Sequence, residues 1–168
     1  MNKIDSTWEQ RVADLWQAID NFEPATFVAH MDALALELPP HNAVGLFERA
    51  SAQDSTGHPD LAIPLYRAAL NAGLTGLPRR RATIQLASSM RNLGNAQEAA
   101  GLLAAEAGAT SDELDGAVQA FLALALADLG REREALAISL TALSRYLPRY
   151  NRSLARYASE IGRLDAAS

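Results

Sequence analysis

The chain has 168 residues, a formal net charge of −5, 49% apolar residues and 21% charged residues. That length suits one domain or one short repeat array with a sizeable core, and the balance excludes a disordered chain. There is no cysteine, which rules out disulfides, cysteine-ligated zinc, iron–sulfur clusters and thiol chemistry.

The 34 alanines, with few β-branched and aromatic residues, disfavour a sheet protein. Charge is uneven: residues 1–78 sum to −6 (ten acids, four bases) and residues 79–168 to +1 (ten acids, eleven bases). The acidic total disfavours general nucleic-acid binding, which needs many phosphate contacts from Lys and Arg. The N-terminus has no apolar core of signal-peptide length. The longest apolar stretch, Ala117–Ala127, is too short to span a membrane. A cytoplasmic protein with no membrane partner is expected.

In chain order, Ser6 followed by Glu9 reads as a capping box opening a first helix, with Trp8, Val12, Leu15, Trp16 and Ile19 on one face. Pro24 suits the first turn of a second helix that runs to Pro39-Pro40. A third covers about residues 41–56 and ends at Gly57. Pro59 opens a fourth that ends near Gly73, Pro78 opens a fifth that ends at Gly94, and a sixth follows to about Ala107. Thr110-Ser111-Asp112-Glu113 caps a seventh that ends at Gly130, and an eighth runs to about Leu147. Pro148 starts a ninth, with Tyr150, Leu154, Tyr157, Ala158 and Ile161 on its inner face. The connections are short, so successive helices pack antiparallel. Pro64 falls inside the fourth helix, removes one backbone hydrogen bond and is expected on the solvent side.

Three segments share a spacing. Ala50, Ala87 and Ala123 each precede a glycine by seven positions (Gly57, Gly94, Gly130), and each glycine precedes an alanine by five (Ala62, Ala99, Ala135). The periods are 37 and 36 residues. Small residues let two helices cross closely, and the glycines end the first helix of each pair.

With these residues, and with the stretches Gly57–Leu70 and Leu93–Ala99, the sequence resembles the tetratricopeptide repeat family. The slots read Leu46, Arg49, Ala50, Gln53, Ala62 and Tyr66 in the first match, Thr83, Leu86, Ala87, Met90, Ala99 and Leu103 in the second, and Gln119, Leu122, Ala123, Leu126, Ala135 and Ser139 in the third. The resemblance implies an all-α, right-handed α-α superhelix of about nine helices forming a single domain over residues 1–168. Within it, residues 5–38 form a degenerate helix pair, 41–74, 78–107 and 111–147 are repeats, and 148–163 is a capping helix.

In that family the first helix of each pair lines a concave groove that binds extended peptides or partner helices. Carried over slot by slot, this implies Phe47, Glu48, Ser51 and Asp54 from the first repeat, Arg81, Ile84, Ser88 and Arg91 from the second, and Leu124 and Asp128 from the third. Asp54, Arg91 and Asp128 occupy the same or adjacent slots, so stacking sets Arg91 between two carboxylates. It is then either a neutralised strut or a group presented to a ligand carboxylate. Arg49, in a core-facing slot, needs a partner from Glu48, Asp54 or a neighbouring helix.

No chemistry-bearing motif competes with this reading. The one lysine, Lys3, lies in no phosphate-binding glycine-rich loop, and there is no nucleophile elbow. His30, His41 and His58 lack metal-ligand spacing. The Asp112-Glu113-Leu114-Asp115 acids fit a first helical turn. Arg79-Arg80-Arg81 sits at a helix start, where positive charge is misplaced and points to pairing with acids or to an anion. Arg149, Arg152 and Arg156 line one face of the last helix, as a solvated face or as a contact for an acidic partner or RNA. The expected function is a non-catalytic protein–protein interaction module without cofactor or metal, whose partner is another protein or peptide. Homo-oligomerisation through the apolar third repeat, and an enzyme with a non-local pocket, are the alternatives.

Overall fold

The computed structural model describes residues 6–109 and 111–165. Among them the chain is all-α, with no strand: α1 (Ser6–Gln17), α2 (Pro24–Ala35), α3 (Ala43–Ser55), α4 (Pro59–Asn71), α5 (Gly76–Asn92), α6 (Ala96–Ala109), α7 (Asp115–Asp128), α8 (Glu132–Ser144) and α9 (Asn151–Asp165). A single 3-10 turn, Ile19–Asn21, follows α1. Position 5 and Thr110 lie outside the described residues.

The repeat glycines end helices in one way. Gly57, Gly94 and Gly130 have φ of 87°, 84° and 73°. Each donates its N–H to the carbonyl three residues back, those of Asp54, Arg91 and Ala127. The following residue reaches five back, from His58 to Gln53, Asn95 to Met90 and Arg131 to Leu126, each at 2.9 Å. This double bond pattern satisfies the last carbonyls of the helix, and a side chain at such a φ is strained. All six small residues of the pattern are buried, and Ala50, Ala62, Ala87 and Ala99 have no exposed surface at all.

The chain divides into two compact units, Met1–Ala82 and Thr83–Ser168. In the first, α1 packs on α2, α2 on α3 and α3 on α4. Trp8, Val12, Phe27, Met31, Leu34 and Ala52 form its core, flanked by Leu15, Trp16, Ile19 and Val44. These are the apolar positions of the helical stripes. Trp8 pays no polar penalty there, because its Nε1–H donates to the Leu34 carbonyl at 2.8 Å. Trp16 meets Phe27 edge-on with ring centroids 5.0 Å apart. In the second unit, α6 packs on α7, α7 on α8 and α8 on α9. Leu103, Val118, Leu122 and Leu126 are buried there with Ala99, Ala123 and Ala158.

Several boundaries differ from the sequence expectation. α7 begins at Asp115, the last acid of the Asp112–Asp115 segment and the one that lies in the first turn as expected, while Asp112 and Glu113 precede the helix: Asp112 Oδ1 accepts from the Leu114 N–H at 2.7 Å, and Asp115 Oδ1 from the Asp112 N–H at 3.2 Å. The side chains thus fold a separate turn and supply no side-chain cap to the helix. α8 ends at Ser144, and α9 begins at Asn151 rather than at Pro148. Asn151 Oδ1 accepts from the Arg152 N–H at 2.8 Å. α5 begins two residues before Pro78, which is tolerated because the first four helical N–H groups have no partner in the helix. Pro64 lies inside α4 on its exposed side, as expected.

Candidate partner-binding faces

In the N-terminal unit the candidate residues gather around α3. Asn42 caps this helix, its Oδ1 accepting from the Val44 and Gly45 N–H groups, and the helix is fixed on its buried side by Phe47, Ala50, Ser51 and Ala52. Phe47 is 1% exposed, with its ring centroid 6.4 Å from that of Tyr66 on α4. Exposed Arg81, from the start of α5, lays its guanidinium carbon 5.3 Å from the Phe47 centroid. Phe47 is therefore the floor beneath Arg81.

Glu48 is half-buried, and its Oε2 accepts from Trp16 Nε1–H at 2.7 Å. Burial pushes the Glu48 carboxyl above its ordinary value of 4.5, while the Trp16 hydrogen bond and the nearby positive charge of Arg81 oppose that rise. The folded chain therefore holds this proton more tightly than the unfolded chain. Its contribution to stability is fully present below the unfolded value and is lost as pH rises through the folded one. Glu48→Gln keeps an acceptor for Trp16 and cannot ionise. We expect it to flatten the stability-versus-pH curve, measured by urea unfolding, just above the ordinary carboxylate range. An unchanged slope would show that burial does not govern this group.

Ser51 is buried and Asp54 half-buried. The Tyr66 hydroxyl lies 3.5 Å from Ser51 Oγ and 3.4 Å from Asp54 Oδ2. Burial raises the Tyr66 phenol above its ordinary value and keeps it a donor at neutral pH. Arg49 takes the neighbouring-helix option and neither Glu48 nor Asp54: its Nε binds Asp32 Oδ1 of α2 at 2.6 Å. Of the arginine run, Arg80 is buried at 2% exposure and Arg81 is the exposed member.

In the C-terminal unit, Ile84 is buried at 5%, Ser88 and Arg91 are half-buried, and Leu124 and Asp128 are exposed. Arg91 Nε lies 3.4 Å from Asp128 Oδ2, and the buried Nε has no hydrogen-bond partner, so the contact is ionic and poorly aligned. Asp128 thus supplies one of the two expected carboxylates. Asp54 belongs to the other unit, where Tyr66 approaches it. The C-terminal unit also holds a cleft of about 470 Å³, whose walls include Gln119, Leu122, Ile138 and Ala158 and none of the ten candidates. Among the described residues no group of three or more His, Asp and Glu could hold a metal ion, and no helix is long and apolar enough to cross a membrane.

Sequence reasoning missed Trp16 as a polar partner. It stands 32 positions from Glu48, on what reads as an apolar stripe, and only the packing of α1 brings the two together.

A family model for the tetratrico peptide repeat matches residues 43–161. The chain belongs to the tetratricopeptide repeat family. The match takes in α3 through most of α9 and leaves out α1 and α2. Neither a curated protein nor a solved structure matches the chain. Tetratricopeptide repeat proteins are in general protein-interaction modules and generally not enzymes.

Proposed function

We propose that this tetratricopeptide repeat chain is a non-catalytic, cytoplasmic interaction module. It acts as one repeat domain over residues 1–168, with a peptide or partner helix bound along the first helices of its repeats. The observation that supports the reading most is the Arg81–Phe47–Glu48–Trp16 arrangement in the N-terminal unit. One cation is laid on a buried ring, and one carboxylate is anchored by an indole N–H, both on packed helices. Groups held this way lose little freedom on binding, which favours their use as anchors. In the C-terminal unit, Arg91, Leu124 and Asp128 add an ion pair beside an exposed leucine.

The test is a peptide-display selection on the wild-type chain and on an Arg81→Ala/Glu48→Ala variant shown to be folded by circular dichroism. Peptides enriched on the wild type should bind the variant at least about tenfold more weakly. Equal binding to both would remove this face from the reading, and no enrichment on the wild type would overturn peptide binding itself.

Self-association is a second reading, favoured by the exposed Ala120, Leu124 and Ala127 on one face of α7. Sedimentation velocity distinguishes the two. A mass that rises with concentration, and falls back to monomer in Leu124→Ser, would assign that face to a second copy.

A further inference from the structure

α8 carries two exposed leucines, Leu136 at 48% and Leu143 at 49%, seven residues apart and therefore on one helix face. Tyr146, 69% exposed, follows just past the helix end, with the edge of its ring toward Gly116 of α7. Tyr150, 78% exposed, follows just before α9. Exposed Glu132 precedes Leu136 by one turn at the start of α8, but past Leu136 the charge along the chain has one sign. Between Glu134 and Glu160 the sequence holds Arg145, Arg149, Arg152 and Arg156 and no acid. Arg145 lies 3.7 Å from Asp115, and Arg156 lies 3.9 Å from Glu160. Arg149 and Arg152 are exposed and have no ion-pair partner among the described residues.

Two observations set this surface apart from an ordinary solvated end. Two leucines exposed on one helix face, followed within seven residues by two exposed tyrosines, are apolar surface of the kind a docking surface needs and a free helix avoids. Tyr150 also sits at φ 65°, a conformation costly for a residue with a β-carbon. Packing does not account for a tyrosine there, since its ring stands in water.

We propose that this surface is a second docking site, separate from the α3 face, and that it takes an acidic amphipathic helix of a partner polypeptide. The apolar stripe of that helix lies on Leu136, Leu143, Tyr146 and Tyr150, and its carboxylates reach Arg149 and Arg152. The seven-residue spacing of the leucines suits a helix laid along α8. Tyrosine and arginine are the side chains enriched where interfaces are tightest. A nucleic-acid strand is a poorer fit, because two uncompensated arginines neutralise few phosphates and leucines offer it nothing. The proposal does not depend on the α3 reading.

The test is fluorescence anisotropy with a labelled synthetic helix of about 18 residues, leucines on one face and glutamates on the others. A scrambled peptide of the same composition and an oligouridylate of about 20 nucleotides serve as controls. The patterned peptide should bind the wild type, while the scrambled peptide on the wild type and the patterned peptide on each of two variants, Arg149→Glu/Arg152→Glu and Leu143→Ser, should bind at least about tenfold more weakly. The three substituted positions, Leu143, Arg149 and Arg152, are exposed, and circular dichroism confirms folding. Binding to Arg81→Ala should be unchanged; a loss there would return the peptide to the α3 face. Equal binding of the scrambled peptide, tighter binding of the oligouridylate, wild-type affinity in both variants, or no binding by the wild type would each overturn the proposal. Self-association abolished by either variant would assign the surface to a second copy, and would overturn it as well.

Discussion

Phe47→Ala is expected to lower the stability of the chain by about 3–5 kcal/mol, the usual cost of deleting a buried phenyl ring from a packed site. Phe47 is 1% exposed, contacts the Tyr66 ring and carries the Arg81 guanidinium on its outer side. Alanine removes the ring and leaves a void between α3 and α4. It also withdraws the platform that holds Arg81. Against a typical total of about 5–15 kcal/mol, such a loss shifts the urea midpoint far enough to measure without ambiguity. A change below about 1 kcal/mol would mean that the ring is not packed as described. One practical consequence is that Phe47→Ala cannot serve as a clean binding-site variant, whereas Arg81→Ala, at an exposed position, can.

Ala62→Trp is expected to cost about 3 kcal/mol by the opposite route, overpacking. Ala62 on α4 and Ala50 on α3 have no exposed surface, and the two helices pack against each other. An indole at position 62 has no free volume to enter, so the helices must separate. Ala62→Gly is the useful contrast: it makes no clash and costs about 1 kcal/mol through helix propensity. Thermal unfolding of the pair checks this. A tryptophan variant as stable as the glycine variant would show that the crossing is loose.

Much of the fold was legible because its signals are local. Gly57, Gly94 and Gly130 announce helix ends through a conformation that glycine alone adopts without strain, and each has it. The alanines five and seven positions away announce close crossings, and all are buried. Of the acidic segment, Asp115 stands in the first turn of α7 as expected, and Asp112 and Glu113 misled because an aspartate bonds to nearby backbone equally well in a turn and at a helix start. Pro148 misled similarly, since a proline before a helix permits a start without fixing it.

The candidate faces were only partly legible. The slots placed Glu48 and Arg81 on accessible surface, yet gave no sign that Phe47 and Ile84 would be covered. They also gave no sign that Trp16 would hold Glu48, or Asp32 hold Arg49. Those partners come from other helices, and periodicity within one helix carries no information about them.

Within each unit, the main helix packing joins helices that follow one another in the chain, α1 with α2, α2 with α3, α3 with α4, then α6 with α7, α7 with α8 and α8 with α9, and the contacts of Trp16 with Glu48 and of Arg81 with Phe47 skip only one helix. Contacts between near neighbours in sequence require closing only short loops, and chains of this kind fold quickly for their size. A segment leaving the ribosome finds its packing partners in the one or two helices made just before it. Each new pair can therefore dock as it is synthesised, and little apolar surface has to wait for a distant partner.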